Sequence, residues 1–160
     1  MHIPDGYLSP STCLTLGAAM APVWYRASAV VKRNLDIARV PFMAMGAVFS
    51  FLIMMFNIPL PGGTTGHATG VAIAAIVLGP WASILAISVA LLIQAIFFGD
   101  GGITAFGANS FNMAVVGSLA ASAVYRILSG RAPLESPRRI VAAAAAGYVA
   151  INLAAMCAAI

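Results

Sequence analysis

Charge is what this sequence has least of: 8% of its 160 residues are charged against 62% hydrophobic, with a mean hydropathy of +1.00. Soluble domains carry roughly 25% charged residues, so a water-facing globular surface is excluded and an integral membrane protein is expected. Cysteine is almost as rare. Cys13 and Cys157 both stand among apolar residues, which argues against a disulfide framework and for small packing residues. No GxxxxGK[ST] phosphate loop is present, so the chain is not expected to hydrolyse a nucleotide itself, and the HExxH and Gly-x-Ser-x-Gly layouts of familiar hydrolases are missing. The opening MHIPDGYLSP lacks a basic n-region and forms turns, so no cleavable signal peptide is expected. Histidine is confined to His2 and His67.

What is present in quantity is apolar sequence. After the turns implied by Pro4, Asp5-Gly6 and Ser9-Pro10, apolar segments run over residues 11–25, 40–58, 68–78, 82–98, 110–128 and 140–160. At 1.5 Å per residue these predict about six membrane spans. Arg26, Lys32, Arg33, Arg39, Arg126, Arg131, Arg138 and Arg139 are all 8 basic side chains, and alternation of the spans puts every one on the same side. That side is expected to be the cytoplasm. The amino terminus and the loops at 59–67 and 99–109 then share the outer face, where Asp5 and Asp100 are the side-chain charges. The expected fold is an all-α polytopic transmembrane bundle with its N-terminus outside, one domain over residues 1–160. Its spans are rich in Gly, Ala and Ser, which permit close helix approach. Met43, Met45, Met54 and Met55 read as packing residues rather than a soft-metal ladder, and Gln94 and Asn152 as interhelical hydrogen-bonding groups.

The chemistry concentrates at the chain start. The α-amine of Met1, the backbone nitrogen of His2 and its Nδ1 can close adjoining five- and six-membered rings on one metal ion. A fourth nitrogen from the His67 ring completes a square plane, which suits Ni(II) or Cu(II) and can hold Co(II), unlike tetrahedral structural zinc. The bulk of His2 is expected to protect Met1 from aminopeptidase trimming. Amine and imidazole bind a metal only when deprotonated, so affinity should fall with pH. Asp5, Asp100, Asn109 and Asn112 are candidates to orient these donors by hydrogen bonds, with ordinary turn chemistry the alternative for Asp100 and Asn109. Two rival functions stay open on the residues alone. One is a metal-dependent intramembrane enzyme using His2, His67 and Asp100 with an open coordination position; the other is a passive metal channel or scaffold.

MHIPDGYLSP, the loop Gly66-His67-Ala68-Thr69-Gly70, and GDGGITAFGANSFNMAVVG at 99–117 together resemble the CbiM/NikM family, over nearly the whole chain. Members are the substrate-capture (S) components of energy-coupling-factor importers for cobalt and nickel. The resemblance implies an S-component-like bundle in a bacterial or archaeal cytoplasmic membrane, a transport subunit rather than an enzyme, linked to cobalamin biosynthesis. It implies that residues 1–10 enter the bundle and that Met1, His2 and His67 bind Co(II) or Ni(II) as transported ligand, with no cofactor. It also implies partners: a transmembrane coupling protein of CbiQ or NikQ type, ATPase subunits of CbiO or NikO type, and a small CbiN-type membrane protein. Similar proteins are expected to continue past residue 160 into a further helix.

Overall fold

The computed structural model describes residues 2–34, 40–60 and 64–160. Met1, Arg39 and residues 61–63 of the expected outer loop lie outside them. Proline at the first helical turn sets three of the boundaries. Helix α1 (Pro10–Asn34) follows Ser9, whose hydroxyl accepts the Thr12 N–H at 3.2 Å. Helix α4 (Pro80–Phe98) follows Gly79, and helix α6 (Pro137–Ala159) follows Ser136, whose side chain accepts the Arg138 N–H. Proline suits this position because its missing N–H would have had no intrahelical acceptor.

Three of the expected boundaries move furthest. Helix α1 does not stop at Tyr25 but continues through Arg26, Lys32 and Arg33 to Asn34, because nothing in that stretch breaks a helix and cations are favoured in its last turn. Helix α2 (Val40–Met54) ends short of residue 58, since Ile58–Leu60 (β1) pairs antiparallel with Thr64–Gly66 (β2), Ile58 facing Gly66. The bundle is therefore mostly helical rather than purely α. Helix α5 (Phe106–Ser129) begins four residues early, which makes Asn109 a helical residue instead of a loop residue.

The remaining helix, α3 (Val71–Leu78), is only 8 residues long. Among the described residues three helices, α4, α5 and α6, are long and apolar enough to cross a membrane, and α2 is a shorter apolar helix. Helices α4 and α5 each contain a π-helical stretch, at Gln94–Phe98 and Ser110–Gly117.

Packing follows the small residues. Ala142, Ala146, Ala150 and Ala154 recur every four residues and are the buried stripe of α6, which lies against α5 and α3. Interhelical hydroxyl contacts add specificity: Ser83 and Ser118 are 2.8 Å apart between α4 and α5, and the Trp24 indole donates to Ser88 at 3.0 Å between α1 and α4. Large apolar side chains such as Val48, Leu52, Val77, Val141 and Tyr148 face outward, the inverse of a soluble protein. Of the methionines, Met54 is wholly buried and Met45 exposed, so they form no continuous ladder.

Candidate metal centre

The chain start is laid across the α4–α5 loop by backbone and side-chain pairing. Asn109, at the first turn of α5, grips Ile3 from both sides: its Oδ1 accepts the Ile3 N–H at 2.8 Å and its Nδ2 donates to the Ile3 carbonyl at 3.0 Å. The Gly102 N–H donates to that same carbonyl at 2.9 Å. Two residues on, the Asp5 carboxylate accepts the N–H groups of Ile103 at 3.0 Å and Thr104 at 2.8 Å, and the Thr104 hydroxyl as well. These donors, the Thr104 hydroxyl first, hold the Asp5 carboxyl below its ordinary range. Glycine is needed at 102, because a Cβ there would stand 2.7 Å from the Asp5 backbone nitrogen.

So held, His2 meets His67. The two imidazoles stack with centroids 4.9 Å apart and planes 25° from parallel. His67 is delivered by the hairpin, directly after β2, and is buried at 5% exposure. Its Nδ1 lies 3.1 Å from the Ala68 carbonyl, a contact only an Nδ1–H can make, which leaves the Nε2 lone pair free. His2 repeats the arrangement: Nδ1 lies 3.0 Å from Asp100 Oδ1. Among the described residues, the buried Nε2 atoms of both rings have no hydrogen-bond partner. Burial, the main cause, favours the neutral His67 ring, while the hydrogen bond from His2 holds Asp100 below its ordinary range. Asp100 is itself fixed by its N–H, which donates to the Gln94 carbonyl at 3.1 Å. Among the described residues no three His, Cys, Asp or Glu side chains are grouped to hold a metal ion, so a cation here needs donors from outside that set.

Residues 2–160 match the CbiM family model, the cobalt uptake substrate-specific transmembrane region. The chain belongs to the CbiM family. It is 58% identical to the fused nickel transport protein NikMN of Rhodobacter capsulatus, over 100% of this chain and 46% of that protein. It is 39% identical to the cobalt transport protein CbiM of Clostridium cellulovorans, over 80% of this chain and 50% of the relative. The crystal structure of a truncated transition metal transporter superposes with a TM-score of 0.90 at 50% identity, covering 98% of this chain and 72% of that one. The chain thus spans about half the length of these curated relatives.

Within this CbiM-family fold the expected site residues fare unequally. His2, His67, Asp5, Asp100 and Asn109 come together in one corner. Met1 lies outside the described residues. Asn112 is buried one turn inward, and among the described residues no hydrogen bond joins it to either histidine. His2 Nδ1, the atom expected to chelate, faces Asp100, so closing the nitrogen chelate requires that ring to turn. Sequence reasoning missed the imidazole stack, for which chain spacing carries no signal. It also expected an interhelical hydrogen bond from Gln94, whereas both polar atoms of that buried amide have no partner.

Proposed function

We propose that this chain is the substrate-capture membrane subunit of an ATP-driven importer of Co(II) or Ni(II), in which the free Met1 amine, His2 and His67 bind the ion. The observation that carries this reading is the stacked pair of buried imidazoles whose Nε2 atoms have no partner among the described residues. An orphaned ring nitrogen costs free energy unless something fills it, and neutral imidazole is a good donor to borderline divalent ions. Asp5, Asp100 and Asn109 orient the arm, and Asn112 supports the helix behind it. Relatives named for nickel and for cobalt transport support the choice of ion.

In this reading residues 1–160 are one transmembrane domain of about six spans. The basic end faces the cytoplasm, the N-terminus lies outside, and residues 1–10 are inserted into the bundle. ATP hydrolysis falls to CbiO- or NikO-type subunits acting through a CbiQ- or NikQ-type coupling protein in the cytoplasmic membrane. The relatives named as fused NikMN proteins favour a CbiN-type companion. The test is equilibrium binding of Ni(II) and Co(II) to the purified chain, with and without one residue added before Met1. Tight binding abolished by the extension is expected; binding of neither ion with Met1 free, or binding indifferent to the extension, overturns the reading.

A further inference from the structure

At the basic end, α1, the start of α2 and the turn between α3 and α4 enclose a cavity of about 480 Å³, within the roughly 300–1,000 Å³ of small-ligand sites. Its walls are largely apolar, with Val30 and Val31 from α1, Phe42 and Met43 from α2, Val77 from α3 and Trp81 from α4. Phe42 and Val77 are exposed, so on one side the cavity runs out onto the outward-facing apolar surface of the bundle.

The α1 side is cationic. Arg26, Val30 and Arg33 recur at i, i+4 and i+7, so the face of α1 that brings Val30 to the cavity carries a guanidinium on either side of it. Arg26 is tied to the wall itself: its Cζ stands 5.1 Å from the centre of the Trp81 ring. A guanidinium held over an aromatic ring keeps the N–H donors at its edge for an acceptor. Arg138 and Arg139 use theirs on backbone carbonyls and a tyrosine hydroxyl. Among the described residues, neither Arg26 nor Arg33 has an ion-pair partner.

We propose that this cavity binds an anionic phospholipid, with the phosphate on Arg26 and Arg33 and the acyl chains against Val30, Phe42, Val77 and Trp81. Charge selects the occupant. Arginine suits bidentate phosphate contact, and basic pockets between membrane helices hold lipid head groups. A soluble phosphate would leave the apolar walls unused, and a zwitterionic head group would bring its own cation against the arginines. The site lies at the end of the bundle away from the histidine pair, and it does not depend on the capture reading.

The test places the photocrosslinker benzoylphenylalanine at position 42 of the full chain, in vesicles of equal parts phosphatidylglycerol and phosphatidylcholine, and weighs the lipid adducts by mass spectrometry. Phosphatidylglycerol adducts should lead by about twenty-five-fold, the product of roughly fivefold for each of two arginines. Arg26→Gln should reduce that lead to about fivefold, and Arg26→Gln with Arg33→Gln should abolish it. The same crosslinker at position 141, on the exposed apolar face of α6, should show no such lead. Equal adducts at position 42, an equal lead at position 141, or a lead that survives the double variant overturns the proposal. Should the double variant not fold, raised salt reads the same dependence in the natural arginine background, where a lead indifferent to salt overturns it. In cell membranes, a crosslink from position 42 to a protein instead of a lipid assigns the cavity to a partner chain and overturns it as well.

Discussion

The two ends of the bundle treat polar groups in opposite ways. At the basic end three arginines are matched. Arg138 donates to the Leu128 carbonyl at 2.6 Å; Arg139 donates to the Ala132 carbonyl at 2.8 Å and to the Tyr125 hydroxyl at 2.9 Å; and Arg26 lies over the Trp81 ring. At the histidine end, hydrogen bonds dock the chain start, while two imidazole nitrogens have no hydrogen-bond partner among the described residues. An unfilled buried donor or acceptor costs about 1–3 kcal/mol. In the proposed reading, that cost at the two imidazole nitrogens is offset when the ion binds.

Substitutions at the two ends should therefore separate affinity from stability. The largest effect belongs to His67→Ala, which removes one of the two bare ring nitrogens. Calorimetric titration with Ni(II) should show a loss beyond the ~10–100-fold typical of an outer-shell partner, with the melting temperature little changed. Retained affinity would remove His67 from the site. Next comes Asp5→Ala, which deletes the acceptor of the Ile103 and Thr104 N–H groups without touching an imidazole. It should weaken binding about tenfold by loosening the arm that carries His2. Arg139→Ala inverts the pattern. Losing its hydrogen bonds should cost about 1 kcal/mol of stability in chemical denaturation and leave ion affinity as it was; a change in affinity would show that the two ends are coupled.

The sequence read one half of this contrast better than the other. The membrane class, the alternation of apolar segments and the gathering of basic residues depend on composition and on 3.6-residue packing, which a chain records position by position. The pairing of His2 with His67 was inferable because alternation of the expected spans puts both on one face. Their stacking was not, since it depends on the Ile58–Gly66 hairpin, and the hairpin arises from cross-strand bonds that no local pattern announces. Asp100 and Asn109 looked equally like turn residues, and only the docked arm distinguishes a turn from a clamp. Gln94 misled for a related reason. A glutamine within a span normally finds a partner, whereas among the described residues none reaches this amide.

The smallest effect, and the one that separates the arm from the imidazoles, is that of acid. Burial lowers the His67 pKa from 6.5, so the fold prefers the neutral ring; stability from that preference is complete above about 6.5 and is lost as pH falls towards the folded value. Ion binding draws on the same lone pairs and should weaken over the same window. Asp5 and Asp100 are held below 3.8 in the fold, so the docking they support is complete above about 3.8 and is lost only as pH falls further, through their folded values. The two losses should therefore come in order, the ion first and the arm later. Following the Ile103 and Thr104 amide resonances alongside Co(II) absorbance through an acid titration checks this. If those amides shift together with ion release near pH 6.5, the carboxylate clamp does not hold the arm by itself, and the cation must be counted among the groups that keep it docked.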